Sequence, residues 1–485
     1  MHKLSFVNWA DTEPSEKEFF EEYRRYSSSL TVWFILLFYL RSFATFCLGS
    51  QVVILETTEG VNLYMQHFDL ECNSSLGFYI FLSKCKFEQT GMSVNRLQEL
   101  TKKSNQDCSQ QELVLRMGIY QNVGYCFGAI IGGILSDLYG RRSTALYFSV
   151  AWNILAWIFV FVKQRFLSDI CYFGIILCCS VVNVTTFVNF AEIADKKNRI
   201  LCIYTIPTYI IGGLLTKYVS RTISSWMYQQ ITVASSVTIM IFACWYMPES
   251  PRWLYNKNKK EKAYAQLCEI SGLLYTFQLN RNLENPELEN NNVLYGMFAF
   301  LCRKTKKYFI LCNLLMTVSS LSYNSLRFKN ILHKIYTKQF DLLTHSAEVL
   351  SFLFLLPIYM ILGKRVGLCF MYFLFLTVLL VAVFTYDFQQ AYIDIFGVIF
   401  SMTAINIIWL LILDIFPTFL RGTAIGIGFF FFGFSGTLGY ILAKLIEKIE
   451  IFNYYLIFFV TNLFGIIVLA LPDTTNRELP NYKLH

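Results

Sequence analysis

Three short charged motifs occur twice along the 485-residue chain. Each set contains a turn with Gly before two basic residues, an acidic residue with Arg seven positions later, and Pro followed by an acidic residue. The first set is Asp137 to Arg142, Glu192 with Arg199, and Pro248-Glu249; the second is Met360 to Arg365, Asp414 with Arg421, and Pro472-Asp473. Corresponding motifs are 223, 222 and 224 residues apart. This repeat predicts two similar halves in parallel orientation.

The carboxylates and basic groups of these motifs have the chemistry of a gate. An ion pair at a helix end is partly desolvated when two elements meet and hydrated when they separate, so it can stabilise one of two states of similar free energy. Gly140 permits a tight turn after Asp137, which brings the following arginines within reach of Glu192 or Glu249. We predict gating roles for Asp137, Gly140, Arg141, Arg142, Glu192, Arg199, Glu249, Arg252, Asp414 and Arg421. Alternatively, the arginines only orient the chain in a membrane, and Glu249 lies with Arg252 at a solvated helix end.

Two of the charged residues inside the apolar runs stand out. Arg41 follows the start of the first run at Leu30 by eleven positions, about 16 Å along a helix. Glu348 lies in the outer part of the eighth run. A charge inside a bilayer is costly, so both residues are predicted to contact a solute. Each could instead pair with a polar group on a neighbouring helix, including the other.

Twelve apolar runs position these residues. Hydrophobic residues make up 55% of the chain and charged residues 15%, with a mean hydropathy of +0.45, whereas soluble domains have about 25% charged residues. Stretches of about 20 apolar residues predict membrane helices, which fall near 30–55, 113–135, 144–163, 169–190, 201–220, 226–247, 308–326, 343–362, 366–385, 391–413, 423–443 and 453–471. The predicted fold class is an all-α membrane protein with 12 transmembrane helices in two six-helix halves.

The basic residues indicate how the chain is oriented. They concentrate after the even-numbered runs, so these stretches and both termini are expected in the cytoplasm. The predicted parts are a cytoplasmic N-terminus at 1–29, a first half at 30–250, a cytoplasmic linker at 251–307, a second half at 308–471 and a cytoplasmic tail at 472–485. Within the first half, 56–112 is then a large extracellular loop in which Asn73 is an acceptor for N-glycosylation. The net charge of +8 fits this topology and not nucleic-acid binding.

Four motifs resemble those of the organic cation, anion and carnitine transporter family, solute carrier family 22, within the major facilitator superfamily. The segment 133–142 is similar to the loop signature of the superfamily, and 248–254 to a signature shared with the sugar porters. The segments 414–421 and 471–480 resemble those that follow the tenth and twelfth helices. The resemblance covers almost the whole chain. It implies the major facilitator fold and alternating-access transport of small organic ions at the plasma membrane, without enzymatic activity.

The resemblance also implies binding residues. Tyr323 and Glu348 match positions in the central cavity of the family, and Gly433 matches a position that is often Asp in cation carriers and Arg in anion carriers. Because that position is Gly here, the usual indicator of charge preference is missing. Tyr323 and Glu348 favour cations while Arg41 favours anions or zwitterions, so we expect cations or zwitterions. Met360 stands where the family has Asp, which predicts a weaker gate in the second half.

Two other functions stay open. A hexose carrier like the sugar porters is one, although the seventh run lacks the Gln-rich motif of those proteins. A transporter-like sensor or scaffold is the other, and the missing charges at 360 and 433 favour it. No Gly-Lys-Ser/Thr loop occurs, which argues against ATP-driven pumping. No metal-ligand spacing occurs and no cofactor is expected; the expected partners are a small organic solute and the lipid bilayer.

Overall fold

The structure is a computed structural model that describes residues 32–53, 94–194, 199–223, 225–257, 259–271, 305–334, 340–384, 387–446, 451–463, 465 and 471. Nearly all of them are helical, and they contain no strand. Several predictions fall outside these residues: the N-terminus at 1–29, glycosylation at Asn73, the motif Pro472-Asp473 and the tail.

The described residues of the first half form seven helices. These are α1 Val32–Val53, α2 Val94–Tyr139, α3 Arg141–Phe161, α4 Arg165–Ile193, the short α5 Leu201–Tyr204, α6 Pro207–Thr222 and α7 Trp226–Tyr246. Two short helices follow in the predicted linker, α8 Pro251–Asn256 and α9 Lys260–Ser271. The second half contains α10 Thr305–Lys334, α11 Phe340–Val383, α12 Asp387–Ile415, α13 Thr418–Ile446 and α14 Ile451–Leu463. The two halves meet mainly where α2 packs along α13.

Each predicted apolar run coincides with helical residues, with two differences. Helix α2 begins at Val94, inside the predicted loop, because its first turns are polar and the hydropathy pattern detects only its apolar part. The fifth run is divided into α5 and α6 because Pro207, the first residue of α6, has no N–H to continue α5. Seven helices of the described residues are long and apolar enough to cross a membrane, so the count of twelve crossings stays a prediction.

The outer helix surfaces carry large apolar side chains. Examples are Tyr147, Phe161, Phe242, Ile361 and Phe373, each exposed over more than 60% of its surface. A soluble protein rarely exposes contiguous apolar patches larger than a few hundred Å². This surface fits contact with lipid.

Two glycines make equivalent turns in the two halves. Gly140 separates α2 from α3 with φ 106°, and Gly363 divides α11 into two helical parts with φ 72°. They are 223 residues apart, the offset of the sequence repeat. Both angles lie in the region where glycine avoids the steric cost that a Cβ brings. The predicted turn at Gly140 is present, and the eighth and ninth runs meet at Gly363.

Replacing Gly140 by Ala is expected to destabilise the protein. The new Cβ would lie 2.6 Å from Oε2 of Glu249 in addition to the unfavourable φ, and backbone strain of this kind costs about 1–3 kcal/mol. Size-exclusion chromatography after heating should show a lower melting temperature. The matched control is Gly174→Ala, whose Cβ meets only the flexible end of Leu155. Equal melting temperatures for the two variants would contradict the expectation.

Candidate functional site

A buried ion cluster joins the halves near the α2–α3 turn. The Glu192 carboxylate at the end of α4 accepts hydrogen bonds from Arg141 at 2.9 Å and from Arg421 of the second half at 3.0 Å. Arg141 also pairs with Asp137 at 3.0 Å. All four side chains are almost completely excluded from solvent. Such a cluster stabilises the contact between the halves only while every charge keeps its partner.

An equivalent ion cluster surrounds the corresponding acidic residue of the second half. Asp414, at the end of α12, forms ion pairs with Lys364 of its own half and with Arg199 of the first half. Lys364 follows Arg141 by 223 positions, and Asp414 follows Glu192 by 222. Each half therefore supplies one arginine to the carboxylate of the other. The Lys364 pair forms although Met360 replaces the expected Asp.

Asp137 has a role that Met360 does not share. Its carboxylate accepts hydrogen bonds from the backbone N–H of Gly422 at 3.2 Å and from the N–H of Thr423 at 2.7 Å. The Thr423 hydroxyl donates a third at 2.8 Å. Asp137 thus binds α2 to the first turns of α13, whereas Met360 is largely exposed. The missing acid removes this contact from the second half.

Glu249 holds the start of α3. Its Oε1 accepts hydrogen bonds from the backbone N–H of Arg141 at 2.8 Å and of Arg142 at 3.3 Å, groups that have no partner within the helix. Burial raises the pKa of the Glu249 carboxyl above its ordinary value, although these bonds and Arg141 oppose the rise. The guanidinium of Arg142 donates to Trp245 O, and that of Arg252 to Glu192 O. Arg252 therefore contacts the cluster through the backbone of Glu192, whereas the Arg142 guanidinium contacts the end of α7.

A cavity of about 130 Å³ lies between the halves. Helices α1, α2, α4 and α6 of the first half line it together with α10, α11, α12 and α13 of the second. The polar side chains in its wall are Arg41, Thr45, Gln121, Asn122, Asn183, Asn324, Arg327, Glu348 and Asn406. The aromatic ones are Tyr125, Tyr209, Tyr323, Phe352, Trp409, Phe429 and Phe432. An apolar wall with a few polar groups is typical of a site for a small molecule.

An aromatic layer separates this cavity from the ion clusters. Phe187 of α4 contacts the rings of Trp409 and Phe429 edge-on, and these two rings stack at 3.9 Å between centroids. Phe187 lies between Asn183 and Glu192 along α4, as Trp409 lies between Asn406 and Asp414 along α12. The rings and then the ion clusters close the cavity toward this end.

Glu348 is paired inside the cavity. Its Oε1 accepts a hydrogen bond from the Tyr323 hydroxyl at 2.8 Å and lies 3.1 Å from Nε of Arg327. Only 3% of Glu348 is exposed. The two residues predicted from the sequence are therefore in contact, and Arg327, which the sequence analysis did not identify, offsets the charge of the carboxylate.

Arg41 has neutral surroundings. Its Nη1 donates to the carbonyl of Asn183 at 3.0 Å and to the Thr186 hydroxyl at 3.2 Å, and the guanidinium lies 5.3 Å from the Phe187 ring centre. Its exposure is 1%, and no carboxylate of the described residues forms an ion pair with it. Arg41 and Glu348 both line the cavity without pairing with each other.

Two asparagines occupy equivalent positions in the halves. Asn183 on α4 and Asn406 on α12 are 223 residues apart and both line the cavity. Asn406 is fully buried, and neither its amide oxygen nor its amide nitrogen has a hydrogen-bond partner in the part of the chain that the structure describes. The amide oxygen of Asn183 is also without a partner. Unsatisfied buried amides facing a cavity indicate groups that a ligand can satisfy.

The predicted binding residue Gly433 does not line the cavity. A Cβ at this position would lie 2.8 Å from Sγ of Cys126 and 3.1 Å from the carbonyl of Asn122. The glycine thus allows α13 to approach α2 closely. Its predicted role in binding is unsupported by this position.

The sequence contained signals for the two residues that were missed. Arg327 lies one helical turn after Tyr323, just beyond the predicted end of the seventh run at 326. Asn406 follows Asn183 at the offset of the repeat. A search for polar residues at that offset inside the apolar runs would have found it.

Two helical halves around a central cavity, closed at one end by repeated ion pairs, define a multi-pass membrane transporter with the major facilitator fold, and not an enzyme. The structure is similar over 92% of this chain and 98% of the other to the proton:xylose symporter XylE bound to 6-bromo-6-deoxy-D-glucose, with a TM-score of 0.64 and 15% identity. It is also similar, with a TM-score of 0.58, to the inward open conformation of the xylose transporter XylE from E. coli. The sequence matches the model of the family "Sugar (and other) transporter" over residues 76–483. The chain belongs to this family.

Relatives include members of solute carrier families 22 and 2 and an organic cation transporter-like protein. Solute carrier family 22 member 16 of Homo sapiens is 25% identical over 77% of this chain and 67% of the relative. The organic cation transporter-like protein of Drosophila melanogaster is 28% identical over 30% of this chain and 26% of the relative. Solute carrier family 2, facilitated glucose transporter member 12 of Xenopus laevis is 25% identical over 34% of this chain and 28% of the relative. These matches confirm the resemblance to solute carrier family 22. They also confirm that the chain is a transporter of sugars or other organic solutes.

Proposed function

We propose that this protein carries small organic ions across the plasma membrane by alternating access. The observation that carries the proposal is the set of charged side chains in the cavity wall: Arg41, Arg327 and Glu348. A neutral solute needs hydrogen bonds but no buried charge, and charges inside a membrane protein are costly to retain. We therefore expect the transported solute to carry a charge that complements these side chains.

The proposed gate is the pair of ion clusters around Glu192 and Asp414. Because each cluster contains an arginine from the opposite half, separating the halves at this end must break both clusters at once. The basic residues at this end support a cytoplasmic position for it, with both termini on the same side. The described conformation then corresponds to a carrier closed toward the cytoplasm.

Uptake of a labelled panel by cells that display the protein tests this proposal. We expect saturable uptake of at least one ion among tetraethylammonium, carnitine, p-aminohippurate and urate, and none of glucose. A Glu192→Gln variant with a disrupted gate is the non-transporting control. Saturable glucose uptake without ion uptake would establish the hexose carrier instead.

The second candidate function, the hexose carrier, is supported by the unpartnered amide of Asn406. An amide offers both a donor and an acceptor and so suits hydroxyl groups. The third, a sensor or scaffold, would be supported by solute binding to protein at the cell surface without flux. Met360 cannot form the contact that Asp137 forms in the first half, and this is the feature of the chain that favours a sensor or scaffold.

A further inference from the structure

The positive and negative charges in the described cavity wall do not balance. Arg41 and Arg327 are cationic and Glu348 is anionic, so the described wall has a formal charge of +1. Glu348 was the basis of the expected preference for cations. Its carboxylate is already paired with Arg327 at 3.1 Å and bonded to Tyr323, so a cationic solute would have to displace a guanidinium to bind it.

Among the described residues of the cavity wall, Arg41 is the charged side chain that has no counter-charge. Its hydrogen bonds go to a carbonyl and a hydroxyl, and its Nε has no hydrogen-bond partner. The ring of Phe187 and two neutral acceptors offset only part of the cost of burying a guanidinium. An anionic group in the cavity would supply the missing charge and form a bidentate pair of the kind that guanidinium favours.

Asn406 is a second and independent group that lacks a partner. Its amide is fully buried, lines the same cavity and makes no hydrogen bond through either polar atom. Asn406 belongs to α12 and Arg41 to α1, so a solute that bound both would connect the two halves. Such a solute would couple its binding to the relative position of the halves.

We infer that the cavity binds an organic anion with an apolar or aromatic body, whose carboxylate or sulfonate pairs with Arg41 and whose remaining polar group bonds to Asn406. The aromatic wall, which includes Trp409 and Phe432, provides the surface for the body of the solute. Arg41 is then the residue that determines charge specificity. This inference rests on the proposed function and names the substrate class of the same site.

A series of ligands with one skeleton and different charges tests it. The probes are 3-phenylpropionate as anion, 3-phenylpropionamide as neutral form, 3-phenylpropylamine as cation and phenylalanine as zwitterion. Binding of labelled 3-phenylpropionate to the purified full chain in lipid nanodiscs, with the others as competitors, avoids passive permeation of the neutral forms. We expect the anion to bind best and the amine worst.

Substitutions then test which side chain binds the anionic group of the probe. Arg41→Gln is expected to weaken binding of 3-phenylpropionate by about 10- to 100-fold, the value of a hydrogen-bonded charge, and Arg41→Lys by less. Asn406→Leu should leave the affinity for 3-phenylpropionate nearly unchanged, because this probe has no second polar group, and should weaken binding of 3-(4-hydroxyphenyl)propionate several-fold. Lys163→Gln, which removes an exposed charge outside the cavity, is the matched control. Monodisperse elution of each variant shows that it is folded. If Arg41→Gln does not fold, Asn406→Leu still tests the inference.

The outcomes separate the two proposals. Tightest binding of the amine, or affinity for 3-(4-hydroxyphenyl)propionate that survives both Arg41→Gln and Asn406→Leu, would overturn the assignment of Arg41 and leave an organic-ion carrier standing. Binding of none of the charged probes, together with glucose uptake in the panel above, would overturn both.

Discussion

Glu192→Gln is expected to open the gate end and to reduce solute uptake more than tenfold. The carboxylate lies between Arg141 and Arg421 at 2.9 and 3.0 Å, and all three side chains are fully buried. Breaking a buried pair leaves uncompensated charge and costs about 3–5 kcal/mol. A change of about 3 kcal/mol alters the ratio of two states more than 100-fold. In the proposed gate, the pair of Glu192 with Arg421 exists only in the closed state, so the population is expected to move to the open state.

The distance between the halves at this end measures the effect. Spin labels at Leu138 and Met360, both exposed, would report on α2 and α11. They are best introduced through unnatural amino acids because the chain has 14 cysteines. The wild type should give a short distance and Glu192→Gln a longer one. Glu261→Gln, which neutralises an exposed carboxylate on α9, should keep the wild-type distance, and an unchanged distance in Glu192→Gln would refute the gate.

The sequence was sufficient to predict most residues of the two buried ion clusters but not all of their partners. The repeat identifies Glu192 with Asp414 and Arg199 with Arg421, because the offset is constant. It does not tell whether an arginine pairs within its half or across to the other. That choice depends on how the halves pack, in particular on the close contact of α2 with α13 at Gly133 and Gly422. The exchange of arginines between halves is visible only in three dimensions.

The cavity was harder to predict than the helices. Hydropathy locates apolar runs well, since about 20 residues contribute to each run, but it places a run's end poorly. Arg327 was missed for this reason, and Glu348 then seemed to be an isolated charge that favoured cations. A single neutral polar residue such as Asn406 hardly changes the mean hydropathy of an apolar run. Its significance follows from burial and missing partners, which are properties of the packed helices.

The pair of Glu348 with Arg327 predicts a double-mutant result. Arg327→Gln removes the guanidinium from a carboxylate that is 97% buried, and Glu348→Gln leaves a nearly buried guanidinium without that carboxylate. Each single variant is expected to lose about 3–5 kcal/mol of unfolding free energy. The double variant should recover most of that loss, because neither charge remains. Unfolding by SDS titration in detergent micelles gives the four free energies.

The same double-mutant cycle shows whether Glu348 only balances the charge of Arg327 or also binds a cationic solute. If Glu348 serves only to balance Arg327, the double variant should retain anion binding through Arg41, while Arg327→Gln alone should gain affinity for the amine probe. Energies that add without coupling would contradict a direct ion pair. Loss of anion binding in the double variant, with stability restored, would show instead that Arg327 shares the solute with Arg41. The charge preference therefore depends on which charged side chain of the cavity lacks a counter-charge, and Arg327→Gln, which removes the counter-charge of the buried Glu348 carboxylate, is the variant that should reverse that preference.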